Sequence, residues 1–389
     1  MRTIVGSLVL SALVVACGAG GDAQKAVEAP PPPVVAPPTP PVTDTPPAAT
    51  ADTTTAPKPS MQDTAKALVG SMSDALNAHD QAKVAALYTD DAVLVFAGMP
   101  EPIKGKDAIG TDTKKFFDGF PNVKMGVSRV WAKGDVIVCE WVDNATNSGE
   151  MHGMKATDKP VGYFGLSVVW LSTDGKVKEE HRYVDIGTVL AQTGVSKAKA
   201  RAIPPLPTST EWHFAKSDAG EDKAVDAIKA GYASFEKKDD KAMGDMVTDD
   251  VVWDDLMAPA PTKGKAETVK YWKAFMTAFP DLKATTTNAW GVEDFAIAEM
   301  TFTGTPKAPI MGLTSQTKKP VALHLVDIVQ TKDGKIVKGW SYGNGVELVA
   351  QFGLMKPPPG APGAKADAKP DAKAGGAAPK ADAKPAPKK

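Results

Sequence analysis

The middle of this chain contains one sequence pattern twice, separated by a constant step of 159 residues. Thr89-Asp90-Asp91 returns as Thr248-Asp249-Asp250, and Lys104-Gly105-Lys106 returns as Lys263-Gly264-Lys265. The same step relates further pairs: Phe116 and Phe275, Phe120 and Phe279, Trp131 and Trp290, Glu140 and Glu299, and Asp174 and Asp333. A fixed step of this kind indicates an internal duplication. The sequence therefore predicts two similar units rather than one large domain.

The repeats predict a first domain at residues 61–195 and a second at residues 221–355, joined by a linker at residues 196–220. In each copy, apolar residues at helical spacing come first, and three or four β-rich stretches follow. An Asp-Gly pair stands at the last hairpin turn of both copies. Helices followed by hairpin-linked strands are typical of the α+β class.

The two ends of the chain differ in composition from the repeats. Residues 1–16 contain one arginine and an apolar run, which predict a secretory signal peptide that is too short to span a membrane. The proline-rich residues 17–60 predict an extended, disordered tether, and the Ala/Pro/Lys-rich residues 356–389 predict a disordered tail.

Cys17 directly follows the predicted signal peptide. Val14-Val15-Ala16-Cys17 resembles a bacterial lipobox, which implies cleavage before Cys17 and lipidation of its sulfur. The alternative is an ordinary thiol behind a plain signal peptide. Gly18 stands where an aspartate would signal retention in the inner membrane, so the pattern favours the outer membrane. We therefore expect a cell-envelope protein that contacts the membrane through lipid on Cys17.

The composition argues against several classes of function. With 45 Lys and Arg against 46 Asp and Glu, the net charge is -1, and no basic surface for nucleic acid is expected. Two cysteines and five scattered histidines make neither a disulfide framework nor a metal-ligand cluster. Phosphate-binding glycine motifs and a Ser-His-Asp set are also missing from the sequence. We expect no nucleic-acid partner, no metal and no cofactor.

Several segments resemble the SnoaL-like polyketide cyclases, which share the nuclear transport factor 2-like superfamily with the ketosteroid isomerases. The resemblance rests on Phe279-Pro280-Asp281-Leu282, Trp290, Asp333-Gly334-Lys335-Ile336 and the stretch from Leu348 to Gly353. It implies two tandem cone-shaped domains, each a strongly curved, mainly antiparallel sheet wrapped around about three helices, with an apolar pocket at the open end. Because isolated domains of this superfamily commonly pair through their sheets, it also implies an intramolecular pseudo-dimer.

The resemblance to ketosteroid isomerases implies two catalytic acids in the second copy. Asp255 aligns with their base, and Asp327 aligns with their oxyanion-binding acid if one residue is deleted in a turn; Phe96 and Val168 are the expected counterparts in the first copy. Tyr232 lies one position away from their oxyanion tyrosine. A carboxyl group buried in apolar surroundings has a raised pKa and accepts protons better near neutral pH. A solvated or ion-paired role is the alternative for both acids.

Asp185 is a third candidate, because it aligns with the acid/base of polyketide cyclases. Its counterpart is Asn344, which cannot take up a proton at neutral pH. Aspartate and asparagine are both good helix N-caps, so capping is the favoured interpretation of Asp185. The histidine of the family's Gly-Thr-His stretch is replaced by Asn147 and Pro306 in the two copies, which weakens the cyclase interpretation.

Further side chains are expected near the pockets or on strand faces. The predicted ligand-binding residues are aromatic or polar: Trp253, Tyr232, Trp340, Asn344, Phe96 and His181. Glu140 and Glu299 lie in the middle of strands, where a cross-strand ion pair on the exposed face is the expected arrangement.

Three functions are compatible with these patterns. The first is a lipid-anchored envelope protein that binds a small apolar or amphipathic molecule. The second is a cofactor-independent cyclase- or isomerase-like enzyme that transfers protons through carboxylates. The third is a passive interaction module whose pockets are filled by its own side chains. Binding is favoured, because neither copy contains the complete catalytic set of the family.

Overall fold

The computed structural model describes residues 59–151 and 155–354. The predicted signal peptide, Cys17, nearly all of the predicted tether and the predicted tail lie outside these residues. None of the helices in the described part of the chain combines the length and the apolar character that a membrane-spanning helix needs.

Each repeat forms one α+β domain with the same order of elements. Domain 1 contains α1 (Met61–Asn77), α2 (Gln81–Ala86), β1 (Tyr88–Phe96), β2 (Ile103–Lys104), α3 (Lys106–Gly119), β3 (Lys124–Lys133), β4 (Val136–Thr146), β5 (Pro160–Leu171), β6 (Val177–Val184) and α4 (Ile186–Gln192). One strand, β7 (Glu211–Phe214), lies between the domains. Domain 2 contains α5 (Ala219–Lys237), α6 (Asp240–Asp245), β8 (Val247–Asp255), β9 (Thr262–Lys263), α7 (Lys265–Ala278), β10 (Lys283–Val292), β11 (Phe295–Gly304), β12 (Val321–Lys332), β13 (Lys335–Tyr342) and α8 (Gly345–Gln351).

The two sheets have the same topology over their common strands. Their orders are β2-β1-β6-β5-β4-β3-β7 and β10-β11-β12-β13-β8-β9. Neighbouring strands are antiparallel except β1 with β6, β8 with β13, and β3 with β7. The predicted fold class, two tandem α+β domains with mainly antiparallel sheets, is confirmed.

The segment predicted as a linker contributes a strand to domain 1. β7 pairs in parallel with β3, from Arg129 opposite Glu211 to Ala132 opposite Phe214. The Trp212 and Phe214 rings stack with their centroids 6.1 Å apart, and the Lys66 ammonium of α1 lies over both rings. The described part of sheet 1 therefore has seven strands, where sheet 2 has six.

Alternation along the central strands produces an interior layer and an outer layer. In β4, Cys139 and Trp141 face the helices of domain 1, whereas Val136 and Val138 face away from them. The outer faces of the two sheets share one apolar cluster, which brings together Ala97, Trp131, Val136, Val138, Leu166, Val168 and Tyr183 of domain 1 with Leu256, Val292, Phe295, Ile297, Val326, Ile328 and Tyr342 of domain 2. The sheets thus meet through the faces that do not carry the main helices.

Candidate functional site

Asp255, Ser341 and Asp327 lie side by side on three neighbouring strands of domain 2. Ser341 of β13 is paired with Asp255 of β8 on one side and with Asp327 of β12 on the other. The three residues are 5%, 7% and 4% exposed in the order Asp255, Ser341, Asp327. Trp253, two positions before Asp255 on the same strand, belongs to the interior cluster of domain 2, so this row faces the interior. We call it the acid row.

Hydroxyl groups donate to both acids of the row. Tyr271 Oη of α7 donates to Asp255 Oδ2 at 2.5 Å, and the Met257 N–H donates to Asp255 Oδ1 at 2.9 Å. Tyr232 Oη of α5 donates to Asp327 Oδ2 at 3.1 Å, and Ser341 Oγ donates to Asp327 Oδ1 at 2.5 Å. Tyr232 therefore lies inside domain 2, in contact with the predicted oxyanion acid.

Burial dominates the electrostatics of the acid row. It raises the pKa of Asp255 to about 6 against the lowering effect of Tyr271 and the Met257 N–H. It raises the pKa of Asp327 to about 7 against the hydrogen bonds from Ser341 and Tyr232, and the Asp255 charge raises it further. In the described part of the chain, neither acid forms an ion pair with a Lys, Arg or His. Both acids therefore exchange protons close to neutral pH.

Aromatic rings share the interior of domain 2 with the acid row. The Trp253 ring lies edge-on to the Trp272 ring, with centroids 5.0 Å apart, and Phe235 lies 5.2 Å from Trp272. Trp253 crosses Gly339, where a Cβ atom would come within 2.2 Å of the indole. The indole N–H of Trp272 is buried without a hydrogen-bond partner among the described residues. The acid row is thus a polar stripe in an apolar interior.

The corresponding row in domain 1 has different chemistry. Arg182 of β6 is paired with Phe96 of β1 and with Ser167 of β5. Ser167, and not the predicted Val168, is the counterpart of Asp327, because the β5–β6 hairpin is one residue longer than the β12–β13 hairpin. Val168 belongs to the cluster between the sheets. A shift of one residue moves a side chain to the other face of a strand.

Charge in the domain 1 row is compensated. Arg182 Nε donates to Glu180 Oε1 at 2.8 Å and its Nη2 donates to Glu180 Oε2 at 3.0 Å. Ser167 and Tyr88 also donate to Glu180. Burial acts to raise the pKa of Glu180, but Arg182 and the hydroxyl groups lower it by more, so the net shift is downward. Phe96, predicted to bind ligand, lies under the Arg182 guanidinium at 5.2 Å.

Asp185 is a helix cap that also joins the two domains. Its Oδ1 accepts from the Gly187 N–H at 3.0 Å, and its Oδ2 accepts from the Thr188 N–H at 2.9 Å and from Thr188 Oγ1 at 2.7 Å. The Gly345 N–H of domain 2 donates to Oδ1 at 2.9 Å. Burial raises the pKa of Asp185 although these donors lower it. The contacts are those that the capping interpretation predicts.

Three predicted ligand-binding residues lie between the domains and not in a pocket. Asn344 caps α8, and its Nδ2 donates to the Ala97 carbonyl oxygen at 3.0 Å. Trp340 lies against the Arg129 guanidinium at 3.8 Å, and His181 Nδ1 lies 2.8 Å from Glu299 Oε1. Trp340 and His181 are the strand neighbours of Ser341 and Arg182, so they point away from the interior.

Glu140 and Glu299 are buried between the sheets, contrary to the prediction of an exposed face, with 3% and 1% of their surface exposed. Glu140 binds Arg129 of its own domain, with Nη2 and Oε2 2.7 Å apart, and accepts from Tyr342 of domain 2. The outer face of a sheet is normally solvated in an isolated domain, so this burial could not be predicted from the strand pattern.

Glu299 occupies the equivalent place in domain 2 with different partners. It accepts from Asn288 Nδ2 at 2.7 Å and from Tyr183 Oη of domain 1 at 2.8 Å. Asn288 is the counterpart of Arg129, and His181 is the counterpart of Trp340. The two glutamates therefore occupy equivalent positions, but Glu140 binds an arginine where Glu299 binds an asparagine.

Residues outside the predicted set also support the acid row. Tyr271 and Ser341 bind the two acids, as described above. Arg201, in the predicted linker, donates from Nη2 to Asp254 Oδ1 at 2.6 Å and from Nη1 to the carbonyl oxygens of Ala258 at 2.9 Å and Asp255 at 3.3 Å. It holds the end of β8 on which Asp255 stands. The local sequence does not indicate this role of Arg201, because its partners are more than fifty residues away along the chain.

Two grooves lie on the surface, away from the acid row. One, of about 450 Å³, is lined by Asp240, Gly244, Lys265, Ala266, Val269, Lys270 and Lys273. The other, of about 230 Å³, is lined by Met61, Gln62, Ala132, Lys133, Gly134, Phe214, Ala215 and Ser217. In residues 59–151 and 155–354, no three His, Cys, Asp or Glu side chains lie where they could hold a metal ion.

Comparison with known proteins gives a family and a set of structural likenesses. The family described as SnoaL-like polyketide cyclase matches residues 66–193 and 225–352, together about two thirds of the chain, which confirms the resemblance inferred from the sequence. No curated protein matches the chain.

Three solved structures that resemble the chain each cover about one of its domains. AclR from Streptomyces galilaeus is 23% identical, covering 35% of this chain and 99% of its own, with a TM-score of 0.31. A SnoaL-like polyketide cyclase structure from Jannaschia sp. CCS1 is 18% identical, covering 36% and 96%, with a TM-score of 0.33. TsrD from Streptomyces laurentii is 20% identical, covering 36% and 100%, with a TM-score of 0.32.

Proposed function

This chain belongs to the SnoaL-like polyketide cyclase family, and from that premise we propose that it is a ligand-binding protein of the cell envelope whose domain 2 holds a small amphipathic molecule. One observation carries the proposal: the acid row contains two buried carboxyl groups that no cation of the described residues compensates. Uncompensated buried acids are costly for a fold. Buried acids with raised pKa values cluster at functional sites.

The duplication supplies an internal control for this argument. Domain 1 forms the same sheet with Phe96 and Ser167 at the positions of Asp255 and Asp327. The fold therefore does not need acids at these two positions. Their presence in domain 2 alone favours a role in recognition.

The acid row defines the polar end of the proposed ligand. Asp327, when protonated, donates a hydrogen bond, whereas ionised Asp255 accepts one. A ligand oxygen group that can both accept and donate, such as a carbonyl next to a hydroxyl, fits this pair. The rest of the ligand would contact Trp253 and the other aromatic side chains of the interior, and so would be apolar.

Native mass spectrometry of the purified protein tests the proposal. We expect one dominant small molecule to accompany the wild-type chain and to be lost from Asp255→Asn and Asp327→Asn. Asp250→Asn is the matched control, because Asp250 is an exposed aspartate on the same strand as Asp255. Retention of the same molecule by all three variants, or its absence from the wild type, would contradict the proposal.

Proton transfer is a second candidate function, favoured by the raised pKa values of the two acids. Asp255, with a pKa of about 6, would take a proton from a carbon atom next to a ligand carbonyl and then return it. Asp327 and Tyr232 would donate to the enolate oxygen meanwhile. Exchange of the α-hydrogens of cyclohexanone in deuterated water tests this function. Wild-type exchange above the buffer rate, lost in Asp255→Asn, supports it, and equal rates contradict it.

The envelope location is proposed from the lipobox-like sequence at Cys17. We expect Cys17→Ser to move the protein from the membrane fraction to the soluble fraction. Incorporation of labelled fatty acid into the wild type and not into the variant would support the anchor. A wild-type protein found only in the soluble fraction would contradict it.

A further inference from the structure

A third uncompensated acid, Asp143, lies in the interior of domain 1. It stands on β4 and is 5% exposed, two positions after Trp141 on the same face. Its hydrogen bond from Tyr163 Oη to Oδ2 is 3.3 Å long, beyond the usual distance between two oxygens. Among the described residues, no Lys, Arg or His forms an ion pair with it. Asp143 is therefore a buried acid with little compensation.

The second copy shows that the fold does not need a polar pair here. Asp143 is paired with Tyr163 across β4 and β5, and the same register in domain 2 pairs Phe302 with Leu323 across β11 and β12. Two apolar residues thus complete the interior at the equivalent place. Asp143 is therefore not needed for packing, and its hydrogen bond is long. A buried polar group of this kind indicates a role other than stability.

The side chains beside Asp143 are aromatic. The Trp141 ring lies edge-on to the Tyr163 ring, with centroids 6.3 Å apart. It crosses Gly165, where a Cβ atom would come within 2.2 Å of the indole, and its Nε1 donates to Ser167 Oγ. The charge of Arg182 acts to lower the pKa of Asp143, but Glu180 already binds Arg182 at two nitrogens.

We propose that Asp143 and Tyr163 form a second binding site, inside domain 1, for a small primary alkylammonium ion. An ammonium group supplies three N–H donors and the positive charge that Asp143 lacks, and Tyr163 Oη offers a further acceptor. The rings of Trp141 and Tyr163 offer aromatic surface to a cation and its alkyl chain. The two domains would then take ligands of different chemistry, a cation in domain 1 and a neutral oxygen compound in domain 2.

Protonation of Asp143 couples this binding to pH. Burial raises the pKa of Asp143 to about 7, although Tyr163 and Arg182 act to lower it. An alkylammonium ion, like a lysine side chain, stays protonated between pH 6 and pH 8, so only Asp143 changes. The ionised fraction of Asp143 rises from about 0.1 to about 0.9 over this range. Affinity should therefore rise about tenfold, with release of a proton from Asp143 on binding near pH 7.

Isothermal titration calorimetry with propylammonium chloride tests the site, with 1-propanol as the uncharged probe of similar size. For the full-length protein we expect saturable binding of propylammonium at pH 8, about tenfold weaker binding at pH 6, and no saturable binding of 1-propanol. Asp143→Asn should weaken propylammonium binding at least tenfold, and Tyr163→Phe severalfold. Asp327→Asn, in domain 2, should leave it unchanged, which separates this inference from the proposed function.

Three results would overturn the inference. They are equal binding of propylammonium and 1-propanol, unchanged affinity in Asp143→Asn, and no saturable binding by the wild type at pH 8. If Asp143→Asn does not fold, the site is tested by the propylammonium affinities of Tyr163→Phe and of the wild type at different pH values. A wild-type affinity that is the same at pH 6 and pH 8 then rejects the site.

Discussion

Domains 1 and 2 share the order of their common strands, but the equivalent rows in their interiors carry charge in opposite ways. Domain 1 buries Glu180 together with Arg182, and the carboxylate stays ionised because the guanidinium lies against it. Domain 2 buries Asp255 and Asp327 with hydroxyl donors only, and both pKa values rise. The two copies therefore share a backbone, whereas the chemistry of their interiors differs. In the row of domain 1, Arg182 balances the charge of Glu180. The row of domain 2 contains two acids whose pKa values lie near neutral pH.

The interface between the domains repeats this contrast. Glu140 faces Arg129, a permanent cation, whereas Glu299 faces Asn288 and His181. We therefore expect the two halves of the interface to respond differently to mutation and to pH.

The largest expected effect is loss of the cation beside Glu140. Arg129→Met should lower the free energy of unfolding by about 3–5 kcal/mol, because it leaves a buried carboxylate without its partner. Asn288→Leu, at the equivalent place in domain 2, should cost only about 1–3 kcal/mol, since it removes a single hydrogen bond to Glu299. Urea denaturation of both variants measures the difference. Equal losses would show that the two glutamates are compensated alike.

The pH dependence of stability should reveal Asp327. Its folded pKa of about 7 lies above that of an unfolded aspartate, so the folded state binds more protons between about pH 4 and pH 7. This contribution is present at low pH and is lost as pH rises through the folded pKa. Relative to Asp327→Asn, the wild type should therefore lose up to about 4 kcal/mol of stability between pH 4 and pH 8. Parallel stability curves for the two proteins would contradict the raised pKa.

His181 should make the Glu299 half of the interface weaken at higher pH. Burial acts to lower the pKa of His181, but hydrogen bonds and charge from Glu299 and Glu179 raise it, and the net shift is upward. Tyr183 donates to the same Glu299, and His324 is the other titratable neighbour. Stability from protonated His181 is complete below its unfolded pKa and disappears as pH rises through the folded pKa.

Thermal unfolding between pH 5 and pH 9 checks this expectation. The wild type should lose more stability over this range than His181→Gln does. Arg129 on the other half does not titrate here, so Trp340→Gln, at the equivalent position, should leave the pH dependence of the wild type in place. An identical pH dependence in wild type and His181→Gln would contradict the role of His181.

The smallest effect is expected at the helix caps. Asp185→Asn keeps one acceptor oxygen and should cost about 1 kcal/mol of the free energy of unfolding, whereas Asp185→Ala should cost about 2 kcal/mol. Ligand binding by Asp185→Asn should match that of the wild type if Asp185 acts as a cap. Loss of binding or exchange activity in Asp185→Asn, with stability retained, would restore the catalytic interpretation.

Much of the fold was predictable from the sequence, because periodicity and repetition are local properties of a chain. The 159-residue step, the helical spacing and the Asp-Gly turns led to two α+β domains, and the resemblance of several segments led to the family. The strand β7 was missed, since the prolines and lysines around it pointed to a linker. β7 pairs with β3 because the folded chain brings residues 211–214 next to that strand, which is a tertiary contact and not a local one.

The candidate site was predictable only in part. Asp255 and Asp327 were identified through resemblance to ketosteroid isomerases, and the structure puts them in one row beside Ser341. The sequence analysis missed Tyr271, Arg201 and Asp143. Each of them contacts a residue that lies far away along the chain, and no local motif marks such a contact.

The sequence by itself determined that this protein contains one fold twice, because the residues that build helices, strands and turns recur at a constant interval. Only the tertiary structure decided which face of each sheet is interior and which meets the other domain. A strand exposes alternate residues on opposite faces, so one extra residue in the β5–β6 hairpin put Ser167, and not Val168, in the interior. The surroundings of a residue also depend on what packs against its face of the sheet, and that partner can lie far away along the chain. This is why the residues between the domains include His181, Trp340 and Asn344.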